Sequence, residues 1–476
     1  MVIPRIQVHR SGTNPFSSDP SRRPLRVLVD PHLVAMESEK YASDFSIIYS
    51  GNVPILSEMA MLDPYFKRDD LYVFRYSGEH ADEVVEHGDL LDGVYQFISR
   101  PTASVGSCSI RGFSHHAVLD QLAASHASDG HADQADCLAA FVLQSVAEQL
   151  DVDVLLTERS CLKLHGRRTS RDVSMCTTRE FIGLLGLLLR ARGDWSFVGP
   201  RAFPLGSWRG ALVASRALIT KDHLLVAAAT ADDARRQARG KSRDLAGAAF
   251  SIFRRLARSL AIRDEIHKQY FLPVTNQTGD AASSQLEWLA LNLSGTFDLL
   301  SKFVALLVNF PLSKKSDLLS GEMRSFVLRV AGSHFRPIYN SEIESTIRLC
   351  RVVRNSIHDA TLDDVASQGR GREWLPLIEL PVYASGEVCK YLAELGEGDV
   401  DWGIRSSYRE NRVMIEADVF ADKLLDSVVR ALNRMIDLIP FENLKGYDPT
   451  FRVEKEREGE FSSTMQRRAI LLYGLT

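Results

Sequence analysis

Residues 341–359 read Ser341-Glu342-Ile343-Glu344-Ser345-Thr346-Ile347-Arg348-Leu349-Cys350-Arg351-Val352-Val353-Arg354-Asn355-Ser356-Ile357-His358-Asp359. Ser341 followed three residues on by Glu344 has the pattern of a capping box, in which hydroxyl and carboxylate satisfy backbone N–H groups left free in the first turn, so a helix is expected to start here. At about 100° per residue, Ile343, Ile347, Cys350 and Ile357 form one stripe; Arg354 falls near its middle, with Arg351 and His358 on its flank. Burying a guanidinium is costly unless it is paired. A helix that turns Arg354 and His358 toward its packed side therefore calls for carboxylate partners or a water-filled cleft.

Arg354 and His358 are four apart and so neighbours on the helix surface, with Arg351 about one turn back. Together they could hold one phosphate. Histidine titrates near neutral pH, so it can take a proton from a ribose 2′-hydroxyl or give one to the leaving 5′-oxygen. The forked, permanently charged guanidinium stabilises the charge that builds on phosphorus. This chemistry requires RNA and no metal.

Arg354-Asn355-Ser356-Ile357-His358-Asp359, late in a bundle helix, resembles the signature of HEPN domains. In that family of α-helical bundles an Arg, a polar residue beside it and a later His form a metal-independent ribonuclease site, in many members at a dimer interface. By this resemblance Arg354 is the motif arginine, Asn355 the polar residue and His358 the catalytic histidine. The family places four to six residues between Arg and His. Three separate Arg354 from His358 and six separate Arg351 from it, so Arg351 is a second candidate for the motif arginine. The resemblance covers residues 281–440. It implies a homodimer, an RNA substrate, and a toxin or phage-defence role with an antitoxin or other regulatory protein as partner. A structural alternative is an Arg and His satisfied by acids, in a bundle that serves as a non-catalytic dimerisation or RNA-binding scaffold.

Around this helix, the segments Gln285 to Val308, Ser320 to Gly332 and Met414 to Ile439 also have helical apolar spacing, and strand signals nearly vanish after Ala281. Residues between His358 and Met414 read as a Gly- and Pro-containing insertion of loops with a short helix at Gly386 to Leu395. Upstream, residues 206–280 read as a basic helical connector. Between Arg235 and Lys268, ten Lys or Arg stand against Asp244, Asp264 and Glu265, a local excess that could guide a phosphate backbone or form a solvated helix face.

Residues 25–205 carry strand-like runs at Leu25 to Val29, Phe45 to Tyr49, Leu71 to Phe74, Val94 to Ile98 and Asp153 to Thr157, with helical periodicity at Ala135 to Leu150 and Thr178 to Arg190. This alternation predicts an α/β domain with a parallel sheet. Asp30 ends the run Val27-Leu28-Val29, Asp136 opens a helix, and Glu158 follows Thr157. Carboxylates gathered at the carboxyl ends of parallel strands repel one another, and a Mg²⁺ or Mn²⁺ ion relieves the repulsion while activating water. The arrangement resembles a PIN-like nuclease domain. By that resemblance Asp30, Asp136 and Glu158 are the metal ligands, with Glu58 a further one, and the stretch from Met175 to Gly193 supplies the last strand and helix. The family usually has an acid two residues after the Thr, where this chain has Arg159. Asp136 as a helix cap and Glu158 as a surface acid are the plainer alternatives. His115, His116, His126 and His131 read as loop histidines, lacking an i, i+4 partner for a metal.

The chain has 476 residues with 57 Lys and Arg against 61 Asp and Glu, a net charge of −4, with 45% apolar residues. These values suit an ordinary globular protein of two or three domains and exclude a wholly basic nucleic-acid coat. Residues 1–24 read as a flexible tail and residues 441–476 as a peripheral charged tail. The longest apolar stretch, near Phe181 to Leu189, is about half of the roughly 20 residues a bilayer requires, so no membrane span and a cytoplasmic location are expected. Six cysteines without a CxxC pair suit reduced thiols and argue against a zinc cage. Neither GxGxxG nor GxxxxGK[ST] occurs, so nothing points to nucleotide-triphosphate hydrolysis.

Overall fold

The computed structural model describes residues 3, 14–16, 23–30, 33, 71–76, 85–87, 90–100, 104–114, 143–158, 173–194, 207–219, 245–272, 274–308, 310, 317–332, 336, 341–359, 363–368, 374–396, 399–406, 411–438 and 472–475. It divides into two compact units, residues 3–188 and residues 189–476.

The first unit is built on a mixed sheet. Its centre is β1 (Leu25–Val29), whose near-continuous burial is that of a strand covered on both faces. In chain order there follow β2 (Leu71–Tyr76), β3 (Val85–His87), β4 (Leu90–Arg100), β5 (Ser104–Ser114), β6 (Val154–Leu156) and β7 (Ser174–Cys176). The order across the sheet is β3-β4-β2-β1-β6-β7, with β5 paired to β4. β1 runs parallel to both β2 and β6, and β6 parallel to β7. β4 is antiparallel to β2 and forms a long hairpin with β5. The expected parallel sheet is therefore the inner part of a sheet whose far edge is antiparallel. From β1 the chain pairs first to one side and later to the other, which makes the carboxyl ends of β1 and β6 a topological switch point, where open α/β sheets bind ligands. At the opposite ends of these strands Arg23 grips Asp153 with two hydrogen bonds of 2.6 Å, and the amide of Arg26 donates to the same carboxylate. This pair fixes the register of β1 on the loop before β6. Helix α1 (Thr178–Ala191) starts in this unit, where Thr177 and Glu180 form a reciprocal capping box.

The second unit is mainly helical. Its helices are α2 (Ser207–Leu218), α3 (Leu245–Tyr270), α4 (Asn276–Leu307), α5 (Gly321–Ala331), α6 (Ser341–Asp359), α7 (Val382–Leu395) and α8 (Ala417–Asp437). α3 and α4 form a helical hairpin, and α4 begins at a capping box between Thr275 and Thr278. Residues Asn276–Leu306 are long and apolar enough to cross a bilayer by composition alone, but the most apolar window is 72% buried within the protein, as befits the core helix of a bundle.

Two expectations require correction. The insertion between His358 and Met414 is not mainly loop: β8 (Asp363–Gln368), β9 (Trp374–Glu379), β10 (Ile404–Ser406) and β11 (Val413–Glu416) form an antiparallel sheet in the order β10-β11-β9-β8. The helix expected from Met414 starts only at Ala417, because Met414 to Glu416 pair with β9 and the Tyr270 hydroxyl accepts the amide of Ala417 at 2.7 Å. Gly403, before β10, has φ +68 and lies so close to Val419 that a Cβ there would sit 2.9 Å from its Cβ. Only glycine suits both the backbone and the contact.

The basic segment also departs from a simple outward face. Arg254 and Arg258 are exposed on α3, but Arg263 is fully buried. It donates to Asp264 at 3.1 Å and to the carbonyl of Tyr473, and lies 3.7 Å from Asp422. Arg190, at the end of α1 and within the second unit, grips Asp264 at 2.6 and 3.0 Å and stacks over the Tyr473 ring at 4.2 Å. His267 completes the cluster through Asp422 at 2.8 Å. Burial pushes the Asp264 carboxyl up, but the Arg190 and Arg263 guanidiniums outweigh it and hold the group at about 2. Burial, against the pull of the same guanidiniums, raises the Tyr473 phenol. The expected bundle thus keeps part of its basic excess for internal pairing. Residues 440–471, Phe45 to Tyr49 and the basic stretch from Arg235 to Asp244 lie outside the described residues.

Candidate functional site

α6 presents the first candidate. It packs against α4, α7 and α8, and three neighbours widen its buried arc to include Ile343, Ile347, Leu349, Cys350, Val353 and Ser356. The arc is centred on Leu349, Cys350 and Val353, which leaves Arg354 at its edge and not in its middle. Within the arc, burial pushes the Cys350 thiol up to about 12, so it remains a small apolar group and no nucleophile. Glu344, expected in a capping box, takes part in an i, i+4 pair with Arg348 at 2.6 Å.

Arg351 is 19% exposed and is held by Asp317 through contacts of 2.7 and 3.2 Å, the bidentate geometry that suits a guanidinium and a carboxylate. Asp317 is itself fixed just ahead of α5, where its carboxylate accepts the amide of Leu319 and its carbonyl the hydroxyl of Ser320. Arg354 is 28% exposed and donates to the side-chain oxygen of Asn355 at 3.0 and 3.2 Å. Between the two arginines lies Asp298 of α4, half exposed. One carboxylate oxygen is 3.6 Å from Arg351 and the other 3.6 Å from Arg354. These separations are longer than hydrogen bonds, so the carboxylate sits between two guanidiniums without binding either tightly. His358 lies one turn beyond Arg354 on the same helix; its side chain is outside the described residues.

The second candidate lies in the first unit at the switch point. Asp30 is fully buried, its amide bonds to the carbonyl of Leu156 at 2.9 Å, and its carboxylate accepts the hydroxyl of Thr157 at 2.7 Å. Glu158 follows at once and accepts the amide of Thr178 at 2.8 Å, at the start of α1, where the helix dipole favours an anion. Asp30 and Glu158 thus share one end of the parallel strands, but each has a structural task. Asp136 and Glu58 lie outside the described residues, as do His115, His116, His126 and His131. Among the described residues no group of three His, Cys, Asp or Glu side chains is placed to hold a metal ion.

Sequence reading did not find Asp298 and Asp317. Both are remote from α6 in the chain, and no local pattern marks a carboxylate that will meet a distant arginine. The one available signal was the need of Arg351 and Arg354 for partners. Comparison with protein-family models, curated proteins and solved structures gave no match.

Proposed function

We propose that the chain is a ribonuclease that cuts RNA without a metal, using Arg351, Arg354, Asn355 and His358 of α6. The observation that carries this reading is the Asp298 carboxylate, each oxygen 3.6 Å from a different guanidinium. A phosphodiester has two non-bridging oxygens on one centre and could take the same position, drawing both guanidiniums to hydrogen-bond distance. Asp317 holds Arg351 in place, and Asn355 orients Arg354. His358 removes the proton from the 2′-hydroxyl, the 2′-oxygen attacks phosphorus, the guanidiniums stabilise the added negative charge, and the bond from phosphorus to the 5′-oxygen breaks as that oxygen takes the proton back from the His358 imidazolium. The products are a 2′,3′-cyclic phosphate and a 5′-hydroxyl end. A homodimer joined near α6, and a toxin or defence role under an antitoxin, belong to the same proposal.

The test is cleavage of a labelled RNA in EDTA. Wild-type protein should release cyclic-phosphate ends, and His358→Ala should release none while keeping its thermal transition. Wild-type protein that leaves every RNA intact supports a non-catalytic scaffold.

A second reading draws on buried Asp30 at the switch point, beside Glu158. There a Mg²⁺ or Mn²⁺ ion would be held by Asp30, Glu158 and Asp136 and would activate water. In that case EDTA and Asp136→Asn abolish cutting, and His358→Ala does not.

A further inference from the structure

We propose that the side of α4 that carries exposed Trp288, together with Arg255 of α3 where it covers buried Gly295, is the track along which single-stranded RNA reaches α6. The proposal rests on the ribonuclease reading and extends it to the class of substrate.

Two side chains mark this side of α4. The first is Arg255 of α3. Its guanidinium lies so close to α4 that a Cβ at Gly295 would be 2.1 Å from Nη1 and 2.6 Å from Cζ. Glycine at 295 is what lets it approach. No carboxylate among the described residues pairs with this guanidinium, although its side chain is partly covered. The second is Trp288, 58% exposed and the most exposed of the large apolar side chains described. It lies seven residues before Gly295, which on a helix is the same face about 10 Å along.

Asp298 follows Gly295 by three residues, a separation of about 5–6 Å between neighbouring positions on a helix surface. The guanidinium of Arg255 therefore lies within a short span of the carboxylate that Arg351 and Arg354 flank. Exposed Lys302 continues the line seven residues beyond Gly295. The acids on this side of α4 are Asp280, Glu287 and Asp298, and Asp298 is already shared between two arginines.

An aromatic ring in line with cations is the composition of a single-strand site, where bases stack on the ring and the groove follows the backbone. A duplex hides its bases from such a ring. The occupant that fits both features is an unpaired strand with one base on Trp288, a phosphate at Arg255 and the next phosphates toward Arg351 and Arg354.

The experiment measures binding of a fluorescein-labelled twelve-residue oligouridylate, the matching oligothymidylate and a twelve-base-pair RNA duplex, with the His358→Ala protein so that no probe is consumed. Trp288→Ala should weaken both single strands about tenfold, within the range that alanine substitution of a stacking residue produces. Trp288→Phe should largely restore binding. Arg255→Gln should weaken it several-fold and make the slope of log K against log salt shallower by about 0.7. Duplex binding should be weaker and indifferent to Trp288. Single-strand affinity within twofold of the parent in Trp288→Ala overturns the proposal. So does a Trp288→Ala protein that changes only its sedimentation, which assigns the face to a second copy of the chain. Wild-type protein that binds through Trp288 but never cuts keeps the track and ends the nuclease reading. Cutting that ignores Trp288 and Arg255 does the reverse.

Discussion

Replacing Asp298 by Asn removes the one negative charge between Arg351 and Arg354 and hardly changes the size of the side chain. Each oxygen of Asp298 is 3.6 Å from a guanidinium nitrogen, and the residue is 50% exposed. Full charges at that separation interact by about 1 kcal/mol at the dielectric of water, and exposed ion pairs give roughly 0.2–1 kcal/mol when measured. Two such loose pairs therefore stabilise the fold by about 1 kcal/mol in all, so Asp298→Asn should lower the midpoint of thermal unfolding by a few degrees at most. A phosphodiester competes with that carboxylate for the same two cations. Relief from this competition should strengthen binding by a similar amount, which is about fivefold at 1.4 kcal/mol per factor of ten. The assay is fluorescence anisotropy with the labelled oligouridylate at low and moderate salt, beside a thermal melt. The gain should shrink as salt rises, because exposed charges are screened. Equal or weaker binding by the Asn variant at low salt refutes the idea that Asp298 stands where a phosphate goes.

The buried cluster of the second unit gives two further expectations. Asp264→Ala leaves Arg190 and Arg263 enclosed without the carboxylate that both contact and should cost about 3–5 kcal/mol in urea unfolding, the penalty for a buried charge left alone; a loss under 1 kcal/mol contradicts the assigned pairing. The carboxyl of Asp264 is held at about 2, below its ordinary value, so the unfolded chain takes up the proton first and acid favours unfolding. The stability it contributes is complete above about pH 5, is lost as pH falls toward about 2, and is on the order of 2 kcal/mol. Urea midpoints between pH 6 and 3 should fall more steeply for the wild type than for Asp264→Asn.

Elements with their own local signals were legible from the sequence. α6 was expected over residues 341–359, the range observed, because its apolar spacing and its first turn both mark it. β1 was expected as observed, because its apolar run is bounded by Pro24 and by Asp30-Pro31. The strands that escaped lack such signals. β8 reads Asp363-Asp364-Val365-Ala366-Ser367-Gln368, with no alternation of apolar and polar residues, and it exists through its ladder with β9. β5 is rich in Ser and Gly and is held by the long hairpin with β4. At Met414 the apolar pattern runs without a break from strand into helix. Only pairing with β9 and the hydroxyl of Tyr270 set the boundary there, and strand propensity is the weaker guide because packing decides it.

The site divides along the same line. Residue types and spacing gave the two arginines, and the cost of a buried guanidinium required a carboxylate or a cleft. The fold gives Arg351 a carboxylate and leaves Arg354 partly exposed beside Asp298. Arg351 is closed off by a bidentate hold on Asp317, whereas Arg354 is more exposed and bonded to its neighbour Asn355. A guanidinium whose forked face is already spent on a fixed carboxylate can offer only its remaining N–H groups to a substrate. One held by an exposed amide can exchange it for a phosphate at little loss, since a charge-assisted bond replaces a neutral acceptor. Within the proposed reaction, Arg354 is therefore the arginine that takes the scissile phosphate. Arg351, held by Asp317, reaches the same phosphate only with its remaining N–H groups.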